Sequence, residues 1–275
     1  MKKKNILSGK KIGFIGVGNM GAALLRGIVD AGKVAMKDIV LCDAAAQKLD
    51  QYAQAGATMC GVAEAAQKAD ILVLAVKPQQ IAEILKEIRG KSGKDALIIS
   101  IAAGVTTHRI EKETGDAAVV RSMPNLPASV KLGVTAIAKG THAGNEHVEA
   151  AKEIFDSVGE VIVVDEGMMD SVTALSGSGP AYLYYFIESM VGAGLNLGFD
   201  HETAEKLALG TVRGALGLLD KTKETPEALR RKVTSPGGTT EAAIRLLEEK
   251  GFMSTFVAAT MRAKNRAEEL SKLSS

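Results

Sequence analysis

The chain has 275 residues, of which 46% are apolar, enough for a sizeable core in one large or two modest domains. Its 34 basic and 32 acidic residues leave a net charge of +2, and its 4% aromatic content includes no Trp. That excludes a basic footprint or a base-stacking platform for nucleic acid, and no run approaches the about 18 apolar residues of a membrane helix.

The opening "MKKK" reads as a solvated tail, not as a signal peptide, since no apolar segment follows it. Short apolar runs then come at regular intervals: "KIGFIG" (11–16), "DIVLC" (38–42), "DILVLAV" (70–76), "ALIISI" (96–101), "AAVVRS" (117–122), "GVTAIA" (133–138) and "EVIVV" (160–164). Most are continuous Val, Ile and Leu, the pattern of parallel strands covered on both faces. Stretches such as "MGAALLRGIVDAG" and "PQQIAEILKEIRG" between them have helical spacing and end on Gly. Repeated strand–helix units predict a Rossmann-type doubly wound α/β sheet over residues 1–165.

From residue 166 the strand pattern disappears. "AYLYYFIESMVGAGLNLG", "HETAEKLALGTVRGALGLLDK", "TPEALRRKV" and "TEAAIRLLEEKGFMSTFVAATMRAKNRAEELSKL" all follow the helical period. The first is apolar or small nearly all round and needs cover on several sides. Residues 166–275 are therefore expected to form an all-α substrate-binding and dimerisation domain. Gly192, Gly194, Gly198, Gly210, Gly214 and Gly217 lie inside these helices, where each costs about 1 kcal/mol against Ala. Close helix–helix approach is the expected compensation.

The first chemical motif is Gly16-Val17-Gly18-Asn19-Met20-Gly21, a G-x-G-x-x-G directly after a strand and opening a helix. The first Gly permits the turn, the second lets backbone approach a pyrophosphate, and the third lets helix pack on strand. The helix N-terminus offers N–H donors to the phosphates. Asp43 follows the second strand. Two readings stand: its carboxylate holds the adenosine ribose 2′-hydroxyl of NADH and repels the 2′-phosphate of NADPH, or it caps a helix starting at Ala44. The first leans toward NADH.

Ala75, Val76, Lys77 and Pro78 end one strand, and Ala102, Ala103 and Gly104 end the next, where open α/β sheets bind ligands. Small residues there admit a flat nicotinamide ring. Lys77 is open between a catalytic acid, a phosphate contact and a solvated lysine, and a nucleotide-side role is favoured. Asn125, in "RSMPNLPA", suits either a carboxamide contact or a structural turn. Cys42 and Cys60 read as small buried thiols in a reducing cytoplasm. His108, His142, His147 and His201 lack metal-ligand spacing and read as surface or capping residues, so no metal is expected.

"SPGGTT" (235–240) opens a helix in the C-terminal half. Orphan N–H groups there favour an anion; Gly237 and Gly238 leave backbone exposed, and Ser235, Thr239 and Thr240 add hydroxyls. One cap residue would suffice to start a helix, so the cluster predicts a carboxylate site. "LSGSGPAYLYYF" (175–186) is a matching cluster. Neither contains a His or a Lys–carboxylate pair. Oxidation of an alcohol needs a base, whereas a cyclic imine arrives protonated, so the pattern points to reduction of a C=N bond.

"IGFIGVGNMG", "AVKPQ", "SIAAGV", "RSMPNLPA", "LSGSGPAY" and "SPGGTTEAAIRLLEEKGF", in this order and spacing, resemble pyrroline-5-carboxylate reductases over nearly the whole chain. The resemblance implies a Rossmann domain, a helical domain interlocking with a second subunit, a homodimer assembling further to a decamer, and reduction of 1-pyrroline-5-carboxylate to L-proline with NADPH or NADH. It implies that Gly238, Thr239 and Thr240 hold the substrate carboxylate with help from Ser235. The Thr240 hydroxyl then contacts the ring nitrogen, and Glu166 lies near the substrate. "AVKP" and "AAG" match nicotinamide-nucleotide contacts. Val62 and Lys232 replace an Asn found at each position in some members, and Asp43 departs from chemistry that suits NADPH.

Overall fold

The computed structural model describes residues 5–273; the basic run Met1–Lys4 lies outside the described residues. One eight-stranded sheet organises the N-terminal part. Its strands are β1 (Ile12–Ile15), β2 (Ile39–Cys42), β3 (Thr58–Met59), β4 (Ile71–Leu74), β5 (Leu97–Ser100), β6 (Ala118–Met123), β7 (Gly133–Lys139) and β8 (Gly159–Val163), in the order β3-β2-β1-β4-β5-β6-β7-β8. β1, β4 and β5 are central and buried at every position, which is why they are written in unbroken apolar residues.

Helices cover both faces. On one, α1 (Asn19–Asp30) joins the apolar cluster of Phe14, Leu24, Ile28, Ile154 and Phe155. After the short α2 (Asp50–Gln54), α3 (Val62–Lys68), α4 (Ile81–Ile88) and α5 (Thr107–Thr114) bury Ala65, Leu85 and Ile110 against Ile15, Leu72 and Ile98 on the other. α6 (Asn145–Phe155) returns to the first face. The strand order reverses between β1 and β4, the switch point at which such sheets bind ligands.

The doubly wound sheet agrees with the sequence reading, with two differences. β7 runs antiparallel to β6. The link between them, residues 124–132, is too short for the crossover that parallel pairing requires. β3 adds an edge strand of two residues that no apolar run announces.

The remaining helices are α7 (Met169–Val172), α8 (Gly179–Asn196), α9 (His201–Thr222), α10 (Pro226–Lys232), α11 (Thr239–Glu249) and α12 (Phe252–Leu273). A π-helical turn, Thr173–Gly177, precedes α8. The single helical pattern read over 240–273 is broken at Gly251, whose φ of +67° ends α11. Gly179–Arg262 forms one compact unit, and the rest of the described chain, including the end of α12 from Ala263, forms the other.

Within the helical unit, α8 and α9 pack closely where Gly194 meets Ala204; a Cβ on Gly194 would lie 2.7 Å from that of Ala204. Gly192, Gly210, Gly214 and Gly217 face open space, so internal packing explains one of the five glycines that lie in helices; Gly198, expected inside a helix, instead has φ +95° in the turn between α8 and α9. Tyr182 and Phe256 stack edge-to-face at 5.6 Å. Leu197 (78%) and Met253 (79%) stand exposed, as do Phe186, Leu207 and Val257. Such a surface marks an interaction face. Among the described residues, no helix is long and apolar enough to cross a membrane.

Candidate active site

The glycine turn sits between β1 and α1 at the switch point. Gly16 has φ +94°, and a Cβ there would fall 2.4 Å from the Ala75 carbonyl oxygen. A Cβ on Gly21 would fall 2.3 Å from the Gly16 carbonyl oxygen. Around Gly18, the exposed N-cap of α1, a Cβ would meet nothing within 4 Å. The first and third glycines are thus fixed by protein neighbours and the second is open to a ligand, which fits a dinucleotide. No side chain caps α1, and its first turn carries no acid, so the N–H groups around Asn19 and Met20 are left for an anion. Val17 is buried beneath the turn.

Asp43 stands at the tip of β2, half-buried. Its Oδ2 accepts from the Val17 N–H at 2.7 Å and its Oδ1 from the Ala45 N–H at 2.9 Å. No helix starts at Ala44; a single 3₁₀ turn begins at Ala46. The carboxylate instead braces the glycine turn and sets a negative charge beside it. Gly16 N–H donates to the Cys42 carbonyl at 2.7 Å, tying turn and strand a second time.

Ala75 and Val76 follow β4, half-buried, and Lys77 is exposed. Its N–H donates to Gln80 Oε1 at 3.3 Å, and Pro78 starts the short turn that leads into α4. Ala102, Ala103 and Gly104 follow β5; Gly104 has φ +75°, and a Cβ there would meet the Ser271 backbone at 3.3 Å. A cavity of about 580 Å³ opens beside these two strand ends, lined in part by Pro78, Ala103, Gly104, Arg109, Thr173 and Arg266. Neither arginine was singled out from sequence, because helical charges look alike until their faces are known. Asn125 proves to be a clamp: its side chain donates to the Ser176 carbonyl at 3.3 Å and accepts from the Val134 N–H at 2.9 Å. That is the structural-turn reading.

Glu166 belongs to an ionic group around the buried Arg121 in the sheet unit. Arg121, 3% exposed on β6, donates to Glu166 Oε1 at 3.0 Å and to Asp170 Oδ1 at 3.4 Å. The Thr107 N–H also reaches Glu166 Oε1, at 3.2 Å, and Ser271 donates to Asp170 at 2.9 Å. Glu166 Oε2 is buried without a partner. Arg121 escaped the sequence reading, although a lone Arg inside "AVVRSM" was the available signal: a charge in a buried strand needs partners.

The SPGGTT loop lies in the helical unit. Gly237 has φ +72° and Gly238 is the N-cap of α11, with no side-chain cap. The Gly238 N–H donates to the Ser235 carbonyl at 3.0 Å, and the Gly237 N–H to Glu241 Oε2 at 2.7 Å. Glu241 therefore folds back to the residue before the N-cap, and Gly238 is not a free donor. The first-turn N–H groups of Thr239 and Thr240 have no carbonyl partner within the helix. The Ser235 and Thr239 side chains are exposed, and Thr240 is half-buried.

Two family models match the chain: "Pyrroline-5-carboxylate reductase dimerisation" over residues 166–270 and "NADP oxidoreductase coenzyme F420-dependent" over residues 11–104. A pyrroline-5-carboxylate reductase of Escherichia coli strain K12 is 40% identical, covering 96% of this chain and 99% of its own. That of Synechocystis is 39% identical, with 95% and 98% covered. A solved structure of the Coxiella burnetii enzyme superposes with a TM-score of 0.89 at 39% identity, over 95% of this chain and 98% of that one. Plasmodium falciparum pyrroline carboxylate reductase, solved with NADP bound, gives 0.85 at 29%, over 96% and 98%. The chain belongs to the pyrroline-5-carboxylate reductase family.

Proposed function

We propose that the chain reduces the C=N bond of 1-pyrroline-5-carboxylate to give L-proline, the last step of proline biosynthesis, using a reduced nicotinamide dinucleotide. The carrying observation is the start of α11, where uncapped N–H groups, a positive-φ glycine and two threonines match a small carboxylate. The cofactor supplies the hydride when bound. The turn Gly16–Gly21 holds its pyrophosphate on the N–H groups of α1, and Ala75–Pro78 and Ala102–Gly104 border its nicotinamide end. Thr239 and Thr240 hold the substrate carboxylate by their backbone N–H groups with Ser235 beside them, and the Thr240 hydroxyl steadies the ring nitrogen. Gly238 contributes conformation, since its N–H is engaged by Ser235. Glu166 lies near the substrate, its carboxylate held by Arg121. Placement of reactants, with no side chain acting as base, accounts for most of the rate.

The dinucleotide is NADH in preference to NADPH. Asp43 is anchored at the adenosine end by two backbone donors, so it cannot swing away from a 2′-phosphate at small cost. The exposed apolar surface of the helical unit supports a homodimer through that unit, with assembly to a decamer as the larger form. The two free thiols suit a cytoplasmic enzyme. One assay tests the reading: initial rates with pyrroline-5-carboxylate and NADH, then NADPH, against a panel of 3-hydroxy acids with the oxidised cofactors. Turnover of a hydroxy acid alone would overturn the reaction, and equal or better efficiency with NADPH would overturn the cofactor preference. Sedimentation velocity of the purified chain reads the assembly.

A further inference from the structure

Cys42 ends β2, and Cys60 directly follows β3. The strands are parallel, with Val40 opposite Thr58 and Leu41 opposite Met59. The Cys60 N–H donates to the Leu41 carbonyl at 3.1 Å, so the chain is still held to β2 at Cys60, and continuing the register by one residue places Cys60 opposite Cys42. Residues in register project to the same face of a sheet. Both side chains pack against the cluster of Ile15, Val40, Ala65 and Leu72. Neighbouring strands lie about 4.8 Å apart, inside the about 4.4–6.8 Å range of Cα separations that a disulfide spans. Both cysteines are free and half-buried. β3 is only two residues long and at the sheet edge, and neither cysteine is fully buried, so solutes reach the pair and the strand end can shift.

What Cys42 adjoins gives the pair a consequence. Its carbonyl receives the Gly16 N–H, and the next residue, Asp43, holds the Val17 N–H. A displacement at Cys42 therefore reaches the glycine turn through two hydrogen bonds. We propose that Cys42 and Cys60 form a reversible disulfide that loosens the cradle of Gly16–Gly21. The effect on the cofactor rests on the function proposed above; the bond does not.

The oxidant is a low-molecular-weight disulfide such as oxidised glutathione. The Cys60 thiolate attacks one of its sulfurs, forming a mixed disulfide and releasing one small thiolate. The Cys42 thiolate then attacks the Cys60 sulfur and releases the second. Two protein thiols are oxidised, one small disulfide is reduced to two thiols, and the two protons lost by the protein thiols end on those small thiols. Burial raises both thiols above the ordinary range, Cys42 further through Cys60, Glu87 and Asp43, and Cys60 further through Glu64 with Lys68 opposing. The pair therefore rests as thiols and closes only in an oxidising pool. In-register β carbons sit wider than the preferred disulfide spacing, so the closed bond is strained and readily reduced.

The test incubates the purified protein with oxidised glutathione, alkylates remaining thiols, and reads intact mass together with NADH affinity by fluorescence titration. The expected product has lost two hydrogens, takes up no alkyl group, and binds NADH about tenfold more weakly, the fold-change from losing one charge-assisted hydrogen bond; dithiothreitol restores both readouts. Cys60→Ser, and Cys42→Ala as a second variant, keep full NADH affinity after the same treatment. A glutathione adduct that never closes, or a disulfide between two chains, overturns the bond. Closure with unchanged NADH affinity overturns its effect on the cradle. A reduced protein that binds neither NADH nor NADPH counts against the proposed function, and the mass still reads the bond.

Discussion

Two glycine turns in this chain start helices with the same backbone and are held in different ways. Gly16 (φ +94°) leads to Gly18, the N-cap of α1 at φ −74° and ψ −169°. Gly237 (φ +72°) leads to Gly238, the N-cap of α11 at φ −84° and ψ 170°. Neither helix has a side-chain cap. The difference lies in what surrounds the positive-φ residue. Gly16 is wedged against the Ala75 carbonyl, whereas Gly237 has nothing within 4 Å of a Cβ position. One turn is shaped by its neighbours and the other by its own torsions, with hydrogen bonds from Gly237 to Glu241 and from Gly238 to Ser235 within the same loop and helix start. A cradle of the first kind is rigid before its ligand arrives. A cradle of the second kind depends on residue choice alone.

The largest effect expected from breaking this comparison is at Gly16. Gly16→Ala combines left-handed strain with a contact that must move backbone, together about 3 kcal/mol. Differential scanning calorimetry should show a fall in Tm of roughly 6–10 °C, along with loss of NADH binding. Gly18→Ala is the matched control. Its φ is negative and its surroundings open, so Tm should stay, while NADH affinity falls roughly tenfold because the methyl group stands where backbone meets pyrophosphate. Equal losses of Tm in the two variants would remove the distinction between packing and ligand access.

Next in size is Thr240→Ala. If its hydroxyl holds the ring nitrogen, turnover should fall roughly 10–100-fold, the equivalent of one hydrogen bond to a charged group. NADH affinity should not change. Turnover at the wild-type level would sink the role given to Thr240.

Gly237→Ala should be milder than Gly16→Ala, because only torsional strain opposes it: about 1–2 kcal/mol, with no clash. The expected kinetic signature is a KM for the imino acid raised roughly tenfold with kcat nearly kept. Gly237→Asn should recover part of the loss, since Asn tolerates the left-handed region. If Gly237→Ala lowers Tm as far as Gly16→Ala does, the loop is held by packing after all.

The same distinction explains what was legible in the sequence. Sterically dictated features were: the continuous apolar strands, the glycine turn, and the helical period after residue 166 all reflect local chemistry that repeats along the chain. The β6–β7 reversal could have been read from the short link at 124–132, but apolar runs say nothing of direction. β3, with two residues, is below the length at which a period exists. The Arg121–Glu166–Asp170 group was out of reach because its members lie on β6 and on a turn and helix well beyond it in sequence. Glu166 drew notice through family resemblance as a residue near substrate; its structural partner Arg121 did not. At SPGGTT the residue types were informative. Which N–H groups remain free was not, because that depends on the Ser235 carbonyl and the Glu241 carboxylate folding back.

The smallest effect concerns a helix that closes its own start. Asp200 caps α9, accepting from the Thr203 N–H at 2.8 Å and from the Thr203 hydroxyl at 3.0 Å. These bonds, the backbone one first, hold its carboxyl below the usual Asp range. A depressed folded pKa means that the cap's contribution is complete above the unfolded pKa and is lost as pH falls through the folded one. Asp200→Asn keeps an acceptor for the Thr203 N–H but has no charge to titrate. Wild type should therefore melt slightly above the variant at neutral pH, and the two should converge below the ordinary Asp range. Phosphate should raise the Tm of neither protein through α9, because residue 200 already engages the Thr203 N–H there. Where α1 and α11 differ from α9 is in lacking such a side chain, and a pH-independent gap between Asp200→Asn and wild type would show that the charge of Asp200 is not what closes this helix.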